Sequence, residues 1–295
     1  MASSADLPSE TGMAGGKALV FDSGVGGLTV VEALRKLSPG IHVDYAADTG
    51  FFPYGDKSDA ALRAHLPRIA DQLVEYLKPD VFVIACNTAS TLALPEVRER
   101  LSIPVVGTVP AIKPAAHLSQ TGRIGLLATP GTVRRDYTSA LIEDFAGDVD
   151  VLLHGSLELV SLAEAVARGE APNLQHFASA QQPLFDQDTD DQMDVVVLAC
   201  THFPLVKAQL AASAPRKVRY VDSGEAIARQ TGRILSASGV AGASEVKPIA
   251  VVTSNLEDRP ELQKTFKRFG FPKVELLESV ADGAIAAPAS LRPYR

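Results

Sequence analysis

Two ten-residue phrases, VFVIACNTAS at 81–90 and VVVLACTHFP at 195–204, decide how this chain is read. Each opens as a short run of β-branched and apolar residues, the pattern of a strand covered on both faces. Each closes on Ala-Cys, followed by residues carrying side-chain oxygens or an imidazole. Cys86 and Cys200 are the 2 cysteines of the chain, and they hold the same local place. One buried thiol packs as a small hydrophobe. Two in matched phrases point to paired chemistry.

Working outward, similar apolar runs recur at 17–21, 42–46, 105–107, 123–128, 149–154, 219–221, 249–253 and 273–277. Between them lie amphipathic segments such as 28–37, 60–77, 132–145 and 205–213. The alternation predicts an α/β fold of parallel sheets flanked by helices. Phe-Asp-Ser-Gly at 21–24 echoes as Val-Asp-Ser-Gly at 221–224, but the first precedes its cysteine and the second follows. The swapped order argues for two pseudo-symmetric lobes, each a parallel-sheet sandwich, with the active site in the cleft between them. The expected division assigns 1–16 to a disordered N-terminal extension and 17–108 with 222–285 to the first lobe. It assigns 109–221 to the second lobe and 286–295 to a C-terminal tail. The crossing VGTVPAIKP at 106–114 reads as a hinge or as a rigid turn. The acidic stretch QQPLFDQDTDDQ at 181–192 reads as a surface insertion.

Composition narrows the class. With 295 residues, 46% hydrophobic and 21% charged, the chain belongs with soluble globular proteins. A net charge of −7 argues against a nucleic-acid surface. No apolar run approaches the roughly 18–20 residues of a bilayer span. The first sixteen residues lack the basic start and apolar run of a secretory leader, and Met13 is an alternative start. The expected setting is the cytoplasm, where the thiols stay reduced.

Ligands of open parallel sheets bind at the carboxyl ends of the strands, where both cysteines fall. A helix N-terminus there would favour thiolate. Nucleophilic hydrolysis leaves the second thiol surplus, and redox chemistry prefers Cys-x-x-Cys. Proton transfer uses both, one thiol on each side of a prochiral carbon. The Gly-rich loop at 22–27 suits an anion; it lacks a dinucleotide fingerprint, having Thr29 where the third glycine belongs. A nucleotide-binding oxidoreductase using Gly24–Gly27 is the competing enzyme class. Asp22 could hold an ammonium group or tune a thiol, and Ser23 could bond a carboxylate. Asn87, Thr88, Thr201 and His202 are placed to cap the helices that follow, with His202 also an imidazole partner for Cys200. Two distant cysteines and one histidine make no metal-ligand set. The other histidines, His65, His117 and His176 among them, read as solvated surface residues.

Five segments together carry a resemblance: FDSGVGGLTV at 21–30, FPYGDKS at 52–58, ACNTAS at 85–90, GLLATPGTVRRDYT at 125–138 and ACTHFPL at 199–205. In this order they resemble the aspartate/glutamate racemase family. The Cys-Thr-His ending is more similar to glutamate racemases than to aspartate racemases. The resemblance implies cofactor-independent interconversion of L- and D-glutamate, supplying D-glutamate for bacterial peptidoglycan. It makes Cys86 and Cys200 the catalytic acid/base pair, serving D- and L-glutamate respectively, with Asp22 and His202 assisting. It gives Ser23, Tyr54, Gly55, Asn87, Thr88 and Thr201, with Asp22 and His202, to substrate binding. Thr129, Thr132 and Glu164 add assisting contacts, with Glu158 a rival to Glu164. The implied partner is the small-molecule substrate, with no metal, nucleic acid or membrane; a homodimer is compatible with such a fold. A two-lobed glutamate sensor without turnover is the non-enzymatic alternative.

Overall fold

A computed structural model describes residues 15–239, 246–257 and 260–277. The chain begins β1 (Lys17–Asp22), α1 (Leu28–Leu37), β2 (His42–Ala47), α2 (Asp59–Leu77), β3 (Val81–Ile84), α3 (Asn87–Arg100) and β4 (Val105–Gly107). It continues as α4 (Ile112–Leu118), β5 (Arg123–Ala128), α5 (Pro130–Val133), α6 (Asp136–Ala146), β6 (Asp150–Gly155), α7 (Glu158–Arg168) and α8 (Leu174–Phe185). The rest is β7 (Val195–Leu198), α9 (Lys207–Ser213), β8 (Arg219–Val221), α10 (Gly224–Ala237), β9 (Ile249–Val252), α11 (Pro260–Arg268) and β10 (Lys273–Leu276).

The strands form two sheets, ordered β10-β9-β2-β1-β3-β4 and β6-β5-β7-β8, and every pairing is parallel. This is the α/β architecture the alternation predicts. Both faces of each sheet are covered, which is why the central strands β3 (VFVI) and β7 (VVVL) are apolar without a break. Side chains alternate between the faces. In the first sheet Val20, Val81 and Val83 join one core, and Phe21, Phe82 and Ile84 the other. In the second, Leu127, Val196 and Leu198 pack on one side, and Leu126, Val195 and Val197 on the other. The parity carries past the strand ends. Cys86 lies two residues beyond Ile84 and shares its core, as Cys200 does with Leu198.

The chain leaves the first sheet after β4 and returns through β8 and α10, which packs along α1. At the crossing, buried Thr108 donates its hydroxyl to the carbonyls of Ile84 and Ala85 at 2.8 and 2.9 Å. Ser223 Oγ donates to Val109 O at 2.5 Å, tying the outgoing and returning segments together.

Several expectations need correction. The helix expected over 132–145 breaks in two. Thr129 caps the single turn of α5, and Arg135 takes an extended conformation that starts α6 afresh. The segment at 205–213 begins as a 3-10 turn, Phe203–Val206, before α9. The stretch at 181–192 is an exposed loop only in part. Its start completes α8, where buried Gln181 donates to Leu210 O at 3.0 Å and accepts the Tyr220 hydroxyl at 2.6 Å. Asp188 is buried between Arg123 and Arg216, so its charge marks an internal pair. Gly15 and Gly16, given to the N-terminal extension, are buried, and Gly16 O accepts the His42 amide at 2.9 Å. The remainder of that extension and the tail at 286–295 lie outside the described residues. Among the described residues, no helix is long and apolar enough to cross a membrane.

Candidate active site

The carboxyl ends of β1, β3 and β7 converge on one enclosed cavity. Its lining includes Ser23, Tyr54, Gly55, Cys86, Asn87, Thr88, Thr129, Cys200, Thr201 and His202. Asp22, Thr132 and Glu164 stand behind these residues and bond to them. The cavity is small, about 20 Å³, on the scale of one water. A larger cavity of about 530 Å³ lies at the crossings, between 109–114 and 220–229, but neither cysteine lines it. Chemistry, not volume, selects the site.

Cys86 ends the β3 run and precedes α3, in the N-cap position. It is 6% exposed, and its thiol faces Ser23 Oγ at 4.0 Å. Burial, then the nearby charge of Asp22, pushes this thiol well up, and the amide of Ala89 offsets only part. The helix N-terminus therefore does not prevail as expected, because desolvation and a like charge outweigh its partial positive charge. At neutral pH Cys86 is a thiol.

Cys200 has different company. No α-helix begins directly behind it; a turn and the 3-10 segment intervene. His202 Nδ1 lies 3.9 Å from its sulfur, and His202 Nε2 lies 2.9 Å from Glu164 Oε1. Burial alone would lower the His202 pKa, but the bonds to Cys200 and Glu164 carry it well above the ordinary value. Burial likewise raises Glu164, yet the bond and charge of His202 and the Val25 amide leave it below the usual carboxylate range. The pair is imidazolium and carboxylate, so both ring nitrogens donate.

The loop at 22–27 makes this pair possible. A Cβ on Gly24 would come within 2.5 Å of Glu164 Oε1, and one on Gly26 within 2.6 Å of His202 Nδ1. The Val25 amide donates to Glu164 at 3.1 Å. The loop does bind an anion, but that anion is the protein's own carboxylate. A pyrophosphate has no room there, which removes the nucleotide reading of Gly24–Gly27. Asp22 is fully buried; Oδ1 accepts the Gly24 amide at 2.9 Å and Oδ2 the Thr201 hydroxyl at 2.7 Å. Burial raises its pKa, against the charge of His202 and those two bonds.

The remaining residues fall into place around the thiols. Thr88, Thr129 and Thr132 form a hydroxyl triangle with sides of 3.1–3.4 Å, joining α3 to α5. Asn87 and Thr88 are thus the first residues of α3, not its caps, and His202 stands at the N-cap of the 3-10 segment without a side-chain capping bond. Asn87 Oδ1 is buried without a partner. Tyr54 contributes a wall but no free hydroxyl, since its OH donates to Asp48 Oδ2 at 2.6 Å. Glu158 is exposed on the far side of α7, whereas Glu164 turns inward. Phe52, Pro53, Leu157 and Val160 complete the lining and were missed from sequence. Phe52 and Pro53 adjoin Tyr54 in the same turn, and that adjacency is the signal that could have found them. Among the described residues, no group of three or more His, Cys, Asp or Glu could hold a metal ion.

Of the histidines expected at the surface, His117 and His176 are exposed. His65 is not free in solvent, for its Nε2 bonds Asp48 Oδ2 at 2.6 Å. His42 is buried against Asp44 and His154 bonds Ala180 O.

The family model for Asp/Glu/Hydantoin racemase matches residues 29–231. A glutamate racemase of Sphingopyxis alaskensis is 46% identical over 257 residues, covering 87% of this chain and 96% of that protein. The crystal structure of Escherichia coli glutamate racemase with L-glutamate and the activator UDP-MurNAc-Ala is 41% identical, with a TM-score of 0.84 over 92% of this chain and 100% of that one. A Thermus thermophilus glutamate racemase with beta-chloro-D-alanine is 30% identical, with a TM-score of 0.71 over 89% and 96% of the two chains.

Proposed function

The chain belongs to the Asp/Glu/Hydantoin racemase family and is an amino-acid racemase, and on that premise we propose that it interconverts L- and D-glutamate by moving the α-proton between Cys86 and Cys200. The observation that carries this reading is the two thiols lining one cavity with neighbours of opposite charge, His202 by Cys200 and Asp22 by Cys86. The imidazolium gives a Cys200 thiolate a hydrogen-bond donor, while burial and then the charge of Asp22 keep the proton on Cys86. A Cys200 thiolate removes the α-proton from one face, leaving a carbanion. Cys86 then delivers its proton to the opposite face, and the two sulfurs have exchanged protonation states. The family resemblance makes L-glutamate the enantiomer that faces Cys200.

The α-proton is a weak acid, so the carbanion needs stabilisation. Ser23 and Thr88, with Asn87 and backbone amides, bond the substrate carboxylates and favour the charge that develops, while the Thr201 hydroxyl, given to Asp22, holds that carboxylate in place. The unpaired Asn87 Oδ1 accepts from the α-ammonium. The cavity is smaller than an amino acid, so its walls part for entry and close to exclude water. The D-glutamate formed serves peptidoglycan synthesis.

Incubation in deuterated water, with no added cofactor, tests the reading. Deuterium should enter the α-position of both enantiomers while optical rotation decays to zero. Glutamate binding without exchange would leave a sensor in place of an enzyme.

A further inference from the structure

Outside the cavity lies a second set of buried polar groups that the proton transfer does not use. Asp48 follows β2 directly, is 2% exposed, and its amide donates to Asp22 O at 2.9 Å. That bond ties the end of β2 to the loop that carries Ser23. The Asp48 carboxylate accepts three hydrogen bonds, each 2.6 Å long: from the Tyr54 hydroxyl and His65 Nε2 at Oδ2, and from Thr253 Oγ1 at Oδ1. Tyr54 is itself buried, and its loop forms the wall of the cavity at Phe52, Pro53, Tyr54 and Gly55. The wall therefore hangs on one carboxylate.

His65 holds that carboxylate from the outside. It projects from α2, and its side chain is 31% exposed. Its ring stacks on Phe51 at a centroid distance of 4.4 Å and an interplanar angle of 29°. Phe51 in turn meets the Tyr54 ring edge-on at 6.2 Å. One imidazole thus grips both the carboxylate that anchors Tyr54 and the aromatic ring at the start of the wall. Nothing in its setting resembles a loose surface histidine. A solvent-exposed α2 face would be served equally by a lysine or glutamine with no inward partner.

We propose that His65 is a positioning residue for racemisation, fixing the 52–55 wall against the substrate through Asp48 and Phe51. The inference rests on the reading of the Cys86–Cys200 cavity as the active site. His65 touches no reacting atom, so its loss should weaken substrate holding in ground and transition states alike. A raised KM with kcat nearly unchanged is the signature.

Steady-state racemisation of glutamate and the thermal midpoint are to be measured for the wild type, His65→Ala and His65→Gln. The Gln side-chain amide reproduces the donor at the Nε2 position. His65→Ala should raise KM about five- to tenfold with kcat held within about twofold, the size of one ordinary hydrogen bond felt through an intermediary. His65→Gln should recover most of that KM. Should His65→Ala fail to fold, His65→Asn, whose shorter amide cannot reach Asp48, takes its place. Unchanged KM in the variant that lacks the donor, even with a lower thermal midpoint, overturns the proposal, as does an equal rise in His65→Gln. A wild type that racemises neither enantiomer fails the active-site reading instead, so the two failures are distinct.

Discussion

The two cysteines share a phrase, a strand parity and a cavity, yet their surroundings are opposite. Cys200 faces an imidazolium locked to Glu164, whereas Cys86 faces Ser23 and is held as a thiol by burial and the nearby charge of Asp22. Near-identical local sequence thus supports two electrostatic settings. The difference arises from the histidine that only the second phrase carries and from the carboxylates the fold brings to each side, Glu164 from α7 behind His202 and Asp22 near Cys86.

Replacing either sulfur should break the comparison most completely. Cys86→Ser and Cys200→Ser are each expected to lower kcat by at least about a thousandfold, the upper range for loss of a positioned acid or base. Racemisation followed by polarimetry checks this, with circular dichroism confirming the fold; substantial turnover in either variant would end the two-thiol scheme.

The next effect comes from the dyad behind Cys200. Glu164→Gln should reduce kcat by roughly ten- to a hundredfold, with the primary isotope effect growing most for the enantiomer deprotonated by Cys200. Kinetics with α-deuterated L- and D-glutamate separate the sides, and equal growth for both would show that the asymmetry has no kinetic role. The same variant makes a stability prediction. The His202 pKa is raised above 6.5, so its contribution is complete below that pH and is lost as pH rises through the folded value. The Glu164 pKa is depressed below 4.5, so its contribution is complete above that pH and is lost as pH falls through the folded value. The stability gap between wild type and Glu164→Gln should be widest between about pH 5 and 6.5, on the order of 3 kcal/mol. It should shrink toward alkaline pH, and urea unfolding across pH 4–10 measures it.

Gly26→Ala tests the packing that supports the dyad. Its Cβ would sit 2.7 Å from the His202 backbone nitrogen, which cannot swing away. A stability loss of about 1–3 kcal/mol is expected for such overpacking, together with a fall in kcat. Calorimetry and polarimetry showing neither would mean the loop yields.

The smallest effect belongs to the echo of the first loop. Asp222 accepts the Gly224 amide at 3.0 Å just as Asp22 accepts that of Gly24 at 2.9 Å, so both form the same turn. The Asp222 side chain, however, is 26% exposed and opposes Lys207 at 3.7 Å, lining the larger cavity that neither cysteine reaches. Asp222→Asn should change stability by no more than about 0.5 kcal/mol and leave kinetics untouched. A large kinetic effect would mean that the turn matters beyond its shape.

Much of the fold was legible because strand periodicity is local. The runs at 81–84 and 195–198 state both their burial and the face on which their cysteines emerge. The errors occurred where a charge or a polar cluster was read as solvent. Asp188 and Gln181 looked like an exposed loop, but arginines and a tyrosine distant in sequence bury them. His65 looked solvated for the same reason. Glu164 and Glu158 could not be ranked from one poorly matching stretch, whereas α7 turns one inward and the other out.

Residue order alone thus determined the parallel α/β architecture, the two thiols at strand ends and the resemblance that ties them to racemisation. Those properties follow from spacing of two and of about 3.6 residues and from short contiguous motifs. Only the tertiary structure decided which carboxylate stands behind the imidazole of His202, what Asp22 bonds and why the loop at 22–27 needs its glycines. Each of these depends on groups up to 179 residues apart, such as Asp22 and Thr201, whose proximity is set by how the two sheets pack.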